Sequence, residues 1–138
     1  MAGSSTLPID LPPAQADFDE VYNRLHRQTD QIVSLHVSTQ VNDTCAVARA
    51  AAANLLGRCQ ITVIDSQTVS VGLGILVETA VAAAASGARL DDIVRLVRGM
   101  VPHLYGVFFV ETLDYLGAAG ESARPRPFSA RCWGSNRC

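Results

Sequence analysis

The sequence predicts an α/β fold, a parallel sheet of about three strands with crossover helices on both faces. Short apolar runs rich in β-branched residues, "QIVSLHV", "ITVID" and "YGVFFV", alternate with longer segments whose apolar residues recur at helical spacing. The first two of these runs break into polar turns before the next helix, which is the order of βα units. Strands joined by crossover helices pair in parallel and are covered on both faces.

The elements follow in chain order. Residues 1–16 are expected to be irregular, and residues 17–27 form an amphipathic helix with Phe18, Val21, Tyr22 and Leu25 on one face. Residues 31–37 are the first strand and break into the loop "STQVNDT". "CAVARAAAANLLG" is a helix stopped by Gly57, and "ITVID" is the second strand. A long apolar helix runs over about residues 69–86, with Gly87 as its stop. "RLDDIVRLVRGM" is a further helix, with Leu90, Ile93, Val94 and Val97 on its apolar face. "YGVFFV" is the third strand, and "ETLDYLG" begins another helix.

Composition narrows the function. A chain of 138 residues suits one domain that buries roughly two-thirds of its unfolded surface. The start "MAGSSTLPID" has no basic segment followed by an apolar one, and Ser70, Glu78 and Thr79 interrupt the longest apolar run. A cytoplasmic protein without stable membrane insertion is expected. Cys45, Cys59, Cys132 and Cys138 show no zinc-ligand spacing, and His26, His36 and His103 form no metal or triad pattern. The expectation is reduced thiols, no metal and no cofactor. Residues 1–121 carry seven Arg and all thirteen acids, a balance of −6, whereas residues 122–138 carry four Arg and no acid. An acidic body argues against nucleic acid as a partner.

Ligands of parallel sheets sit at the carboxyl ends of strands. The two polar turns there, "STQVNDT" and "DSQTVS", are therefore the default site, facing one apolar slot. Ser66 lacks the G-x-S-x-G elbow and a following His, so no catalytic residue is assigned. Gly72 and Gly74 lie inside a helix and lack a third glycine, so a dinucleotide fingerprint fails. The competing reading is structural. Asp65 would cap or brace the following helix with Ser66 tied to it, and Asn42 or Asp43 would only cap theirs.

Together these segments resemble the DegV family, the fatty-acid-binding carrier subunits of bacterial fatty acid kinase. The likeness runs over about residues 17–116. "ITVIDSQTVSVGLG" resembles the family's strand, Asp-Ser and Ser-x-Gly-Leu-Gly block. "ASGARLDDIVRLV" resembles its G-x-s-x-x-e-I helix start, and "FFVETLDYL" its F-x-V-x-T-L-x-Y-L. "VSTQVNDTCAVA" stands where the family has I-S-S-K-L-S-G-T-Y-x-S-A. The resemblance implies a non-catalytic carrier whose partners are a long-chain fatty acid and a separate kinase catalytic subunit. It implies that Asn42 and Thr44 hold the lipid carboxylate while Ser38, Thr39, Asp43, Asp65 and Ser66 line the pocket. Asn42 and Asp43 replace the family's Ser and Gly, while Thr44 is retained. Its T-T-S-x-P-S segment falls on "IDLPPA", where Pro13 matches but Asp10 and Leu11 replace hydroxyl residues. Each lost charge-assisted bond costs roughly 1.5–3 kcal/mol.

After Leu116 the apolar periodicity ends, and no Leu, Ile or Val follows. One nucleotide away, the genetic code lets Gly117 onward become R-R-G-G-R-I-R and residues 127–137 L-L-G-S-V-L-G-I-K-P, as the family continues. Residues 117–138 are thus expected to be a frame-shifted, disordered tail behind a partial domain. The alternatives to the carrier are a truncated, non-functional fragment or, third, an enzyme on a small phosphorylated substrate at the same strand ends.

Overall fold

The computed structural model describes residues 11–105. The expected third strand "YGVFFV" lies outside the described residues from residue 106 on, as do the helix after it, the tail and Asp10. The elements are helix α1 (Gln15–His26), strand β1 (Gln31–His36), helix α2 (Thr44–Ala53), strand β2 (Gln60–Asp65), helix α3 (Ser70–Ala85) and helix α4 (Leu90–Met100). A short 3₁₀ turn, Val101–His103, closes the series.

Among the described residues the sheet has two strands, and they pair in parallel. The register runs from Gln31 opposite Gln60 to His36 opposite Asp65, so the strands end level. Alternation along each strand then sends side chains to opposite faces. On one face Ile32 joins Tyr22 of α1, Ala51 of α2, and Leu55 and Cys59 of the connection. On the other, Ile64 joins Leu76 and Ala80 of α3 and Ile93 and Val97 of α4, with Val33 and Leu35 against them. Helices on both faces are as expected, and the sheet is the middle layer.

Tyr22, Ser34 and His36 pair with one another where they enter this core. The Tyr22 hydroxyl meets Ser34 Oγ at 2.8 Å, and Ser34 Oγ meets His36 Nε2 at 2.7 Å. Phe18 stands edge-on to the His36 ring, with centroids 5.3 Å apart. Burial pushes the Tyr22 phenol up, against the Ser34 bond, and pushes His36 down, reinforced by the positive charge of Arg49.

The local ends explain the boundaries. α1 begins two residues earlier than the apolar pattern predicts, because the Asp17 carboxylate accepts the Ala14 N–H at 3.0 Å. α2 ends at Ala53, short of Gly57, and the chain continues in turns. α3 ends in a two-bond cap, in which Gly87 N–H reaches Ala84 and Ala88 N–H reaches Ala83. Gly87 takes φ 83°, which the cap requires and glycine reaches without strain. α4 buries Leu90, Ile93 and Val97, and Asp91 and Asp92 sit at its positive end.

Candidate functional site

Level strand ends bring the two polar turns side by side. Ser66 N–H continues the ladder to the His36 carbonyl at 3.1 Å, and Ser38 N–H reaches the Thr68 carbonyl at 3.0 Å. Asp65 then ties the turns together. Its Oδ2 accepts the Thr39 hydroxyl at 2.6 Å, and its Oδ1 accepts Gln67 N–H at 2.9 Å and Thr39 N–H at 3.3 Å. Residues 26 apart in sequence are thereby held at one spot.

The structure corrects the structural reading of this turn. Asp65 does not cap α3, whose N-cap is Val69 without a side-chain bond. Ser66 is not tied to Asp65 either. Its hydroxyl donates to the Thr68 carbonyl at 3.0 Å and accepts Thr68 N–H at 3.3 Å, buried at 1% exposure. Gln67 and Ser70 both take φ 53°, a left-handed conformation that costs non-glycine residues about 1–3 kcal/mol. The loop between β2 and α3 is thus strained and pinned by its own hydrogen bonds.

The first turn is equally ordered. Ser38 is buried, its Oγ accepts Gln40 N–H at 3.2 Å, and its carbonyl takes Val41 N–H at 2.9 Å. Asn42 Oδ1 accepts Thr44 N–H at 3.1 Å, so it serves the first turn of α2. Asp43 is the N-cap residue, exposed and without a side-chain cap bond. Thr44 is buried at the helix start. Ser38, Thr39, Asp65 and Ser66 therefore form one linked cluster, with Asn42, Asp43 and Thr44 further along the same loop at the α2 N-terminus.

Sequence reasoning missed three participants. Thr68 supplies the carbonyl that both Ser38 and Ser66 use. Cys45 lies beneath both turns, its thiol 3.8 Å from the Val37 carbonyl and 4.0 Å from that of Ile64. Burial raises its pKa, the Asp65 charge adds to this, and Arg49 opposes it. Arg49 is the third, and its signal in the sequence is a single charge in the Ala-rich run "CAVARAAAA".

Grooves open along both sheet edges. One of about 750 Å³ follows β2 between α2 and Arg98, and one of about 540 Å³ lies between β1 and α3. A smaller recess of about 320 Å³ meets the turns at Asp65 and Gln67. None of these three is lined by Asn42 or Thr44. The described residues contain no cluster of metal-ligand side chains and no helix long and apolar enough to cross a membrane.

A family model described as an uncharacterised protein of the DegV family matches residues 1–124. A DegV domain-containing protein of Deinococcus radiodurans is 34% identical over 114 residues, covering 83% of this chain and 40% of that protein. A solved structure of a DegV family protein from Thermus thermophilus, described by its fatty acid binding, superposes with a TM-score of 0.67 at 28% identity. The match covers 70% of this chain and 34% of that one. A fatty acid binding DegV family protein from Streptococcus agalactiae gives the same TM-score at 20% identity, covering 72% and 35%, a likeness of fold. The chain therefore spans about 40% of the curated relative's length and about a third of the solved chains.

Proposed function

Because the chain belongs to the DegV family, we propose that it holds a long-chain fatty acid by its carboxylate and presents it to a separate fatty acid kinase in the cytoplasm. The observation that carries this reading is the hydrogen-bonded junction of the two polar turns at the tips of β1 and β2. It lies in a fold shared, at 28% identity, with a fatty-acid-binding protein. The carboxylate would meet the Thr44 hydroxyl and the Asn42 amide at the α2 N-terminus, whose dipole favours an anion. An anion needs a donor, which on Asn42 is the amide NH₂, while the carbonyl accepts Thr44 N–H. Ser38, Thr39, Asp65 and Ser66 would form the wall, and Asp43 at the exposed lip weakens the grip by repulsion. No catalytic step is assigned to this chain, since phosphoryl transfer belongs to the kinase.

Native mass spectrometry of protein expressed in bacteria tests the reading, with co-purified palmitate or oleate as the expected result. Asn42→Ser combined with Asp43→Gly, which restores the family pattern, should tighten oleate binding at least about tenfold. Unchanged affinity would remove the carboxylate from this turn. A second reading, a partial fold that binds nothing, is favoured by Val71 and Val81 of α3, 73% and 62% exposed. It predicts an empty, aggregating chain in the same measurement.

A further inference from the structure

The recess at the carboxyl end of β2 gathers two arginines against one carboxylate, an excess of positive charge. Arg49 from α2 and Arg98 from the last turn of α4 both line it, together with Val63, Asp65 and Gln67. Among the described residues, neither guanidinium makes an ion pair or a hydrogen bond; the ion pair present is Arg95 with Asp92. Asp65 lines the recess too; its oxygens are held by Thr39 and Gln67 and by neither arginine, so its charge offsets one guanidinium through space and leaves the other in excess. Two of the seven arginines of an acidic body thus converge on one cavity from separate elements. The field of Arg49 also reaches inward, where it helps to depress His36.

We propose that Arg49 and Arg98 form an oxyanion site for a phosphate-type group, separate from the turn that holds the carboxylate. Guanidinium forks match phosphate oxygens two at a time, and a dianion relieves the repulsion between neighbouring cations. A volume of about 320 Å³ admits a phosphoryl group with a short alkyl stem, at the lower limit of small-molecule sites. Asp65 and the left-handed Gln67 hold the floor in place.

The test is calorimetric titration of the full chain with inorganic phosphate, with decyl phosphate and, separately, with oleate. The double substitution Arg49→Gln, Arg98→Gln should weaken both phosphate probes at least about tenfold, and Arg98→Gln alone should leave oleate within about twofold. Decyl phosphate binding more tightly than inorganic phosphate identifies a lipid phosphate as the ligand; equal affinities identify free phosphate. Phosphate affinity unchanged by the double substitution overturns the site. A second measurement needs no variant, because phosphate should protect Arg49 and Arg98, but not Arg24, from phenylglyoxal. Equal modification of all three also overturns it. Wild-type protein that binds phosphate through these arginines but not oleate retains this site and removes the carrier reading. Oleate binding with no phosphate binding does the reverse.

Discussion

Thr39 contributes a single hydroxyl, and that hydroxyl joins the turn after β1 to the turn after β2 at 2.6 Å. Thr39→Val keeps the shape and removes the bond. The site is exposed, so the expected loss is about 1 kcal/mol, read as a lower urea midpoint. His36 gives a pH dependence whose sign can be worked out. Burial, then Arg49, holds its folded pKa below the ordinary 6.5. The unfolded chain therefore takes up the proton first. Stability is full above the ordinary value and falls as pH drops from there through the depressed folded value. Urea midpoints of wild type and His36→Gln should diverge across that window and run parallel above it. The hydroxyls and the Asp-Ser pair at the site were legible as polar residues at strand ends. Their partners were not, because Thr39–Asp65 depends on register, and register is a property of two strands.

At the scale of elements, α3 shows why two glycines in one motif differ. A Cβ at Gly72 would overlap the Thr68 hydroxyl, whereas one at Gly74 meets nothing within 4 Å. Overpacking costs about 1–3 kcal/mol and glycine-to-alanine in a helix returns up to about 1. Gly72→Ala should therefore destabilise, and Gly74→Ala should stabilise by about 0.5–1 kcal/mol. Thermal melts decide both, and Gly72→Ala with Thr68→Ala should recover most of the loss. The apolar period of α4 placed Leu90, Ile93 and Val97 correctly. For α1 it put Val21 on the same face as Tyr22, yet Val21 is 38% exposed. A stripe of four residues is wider than the contact that α2 offers, and sequence periodicity alone cannot show where contact stops.

At the scale of the molecule, the described residues give a three-layer stack whose outer surface still carries apolar side chains. α3 is apolar on every side, a pattern that belongs to a covered helix, yet Val71 and Val81 face solvent. Relatives are more than twice as long as the matched segment, and this chain supplies 40% of the Deinococcus protein. Concentration-dependent association is the expected behaviour of such a surface. Val81→Glu should lower the average mass seen by light scattering, and an unchanged mass would locate the contact elsewhere. The α/β class and the order of elements were readable, since each rests on local periodicity. Which surfaces remain uncovered was not, because that depends on what packs against them. The level ending of the two strands has a kinetic corollary. The amides of Thr39 and Gln67 share a single acceptor atom on Asp65, so movement of the turn after β2 also releases the turn after β1. In deuterium exchange their protection should rise and collapse in step, the carboxyl rim of the sheet breathing as one cooperative unit.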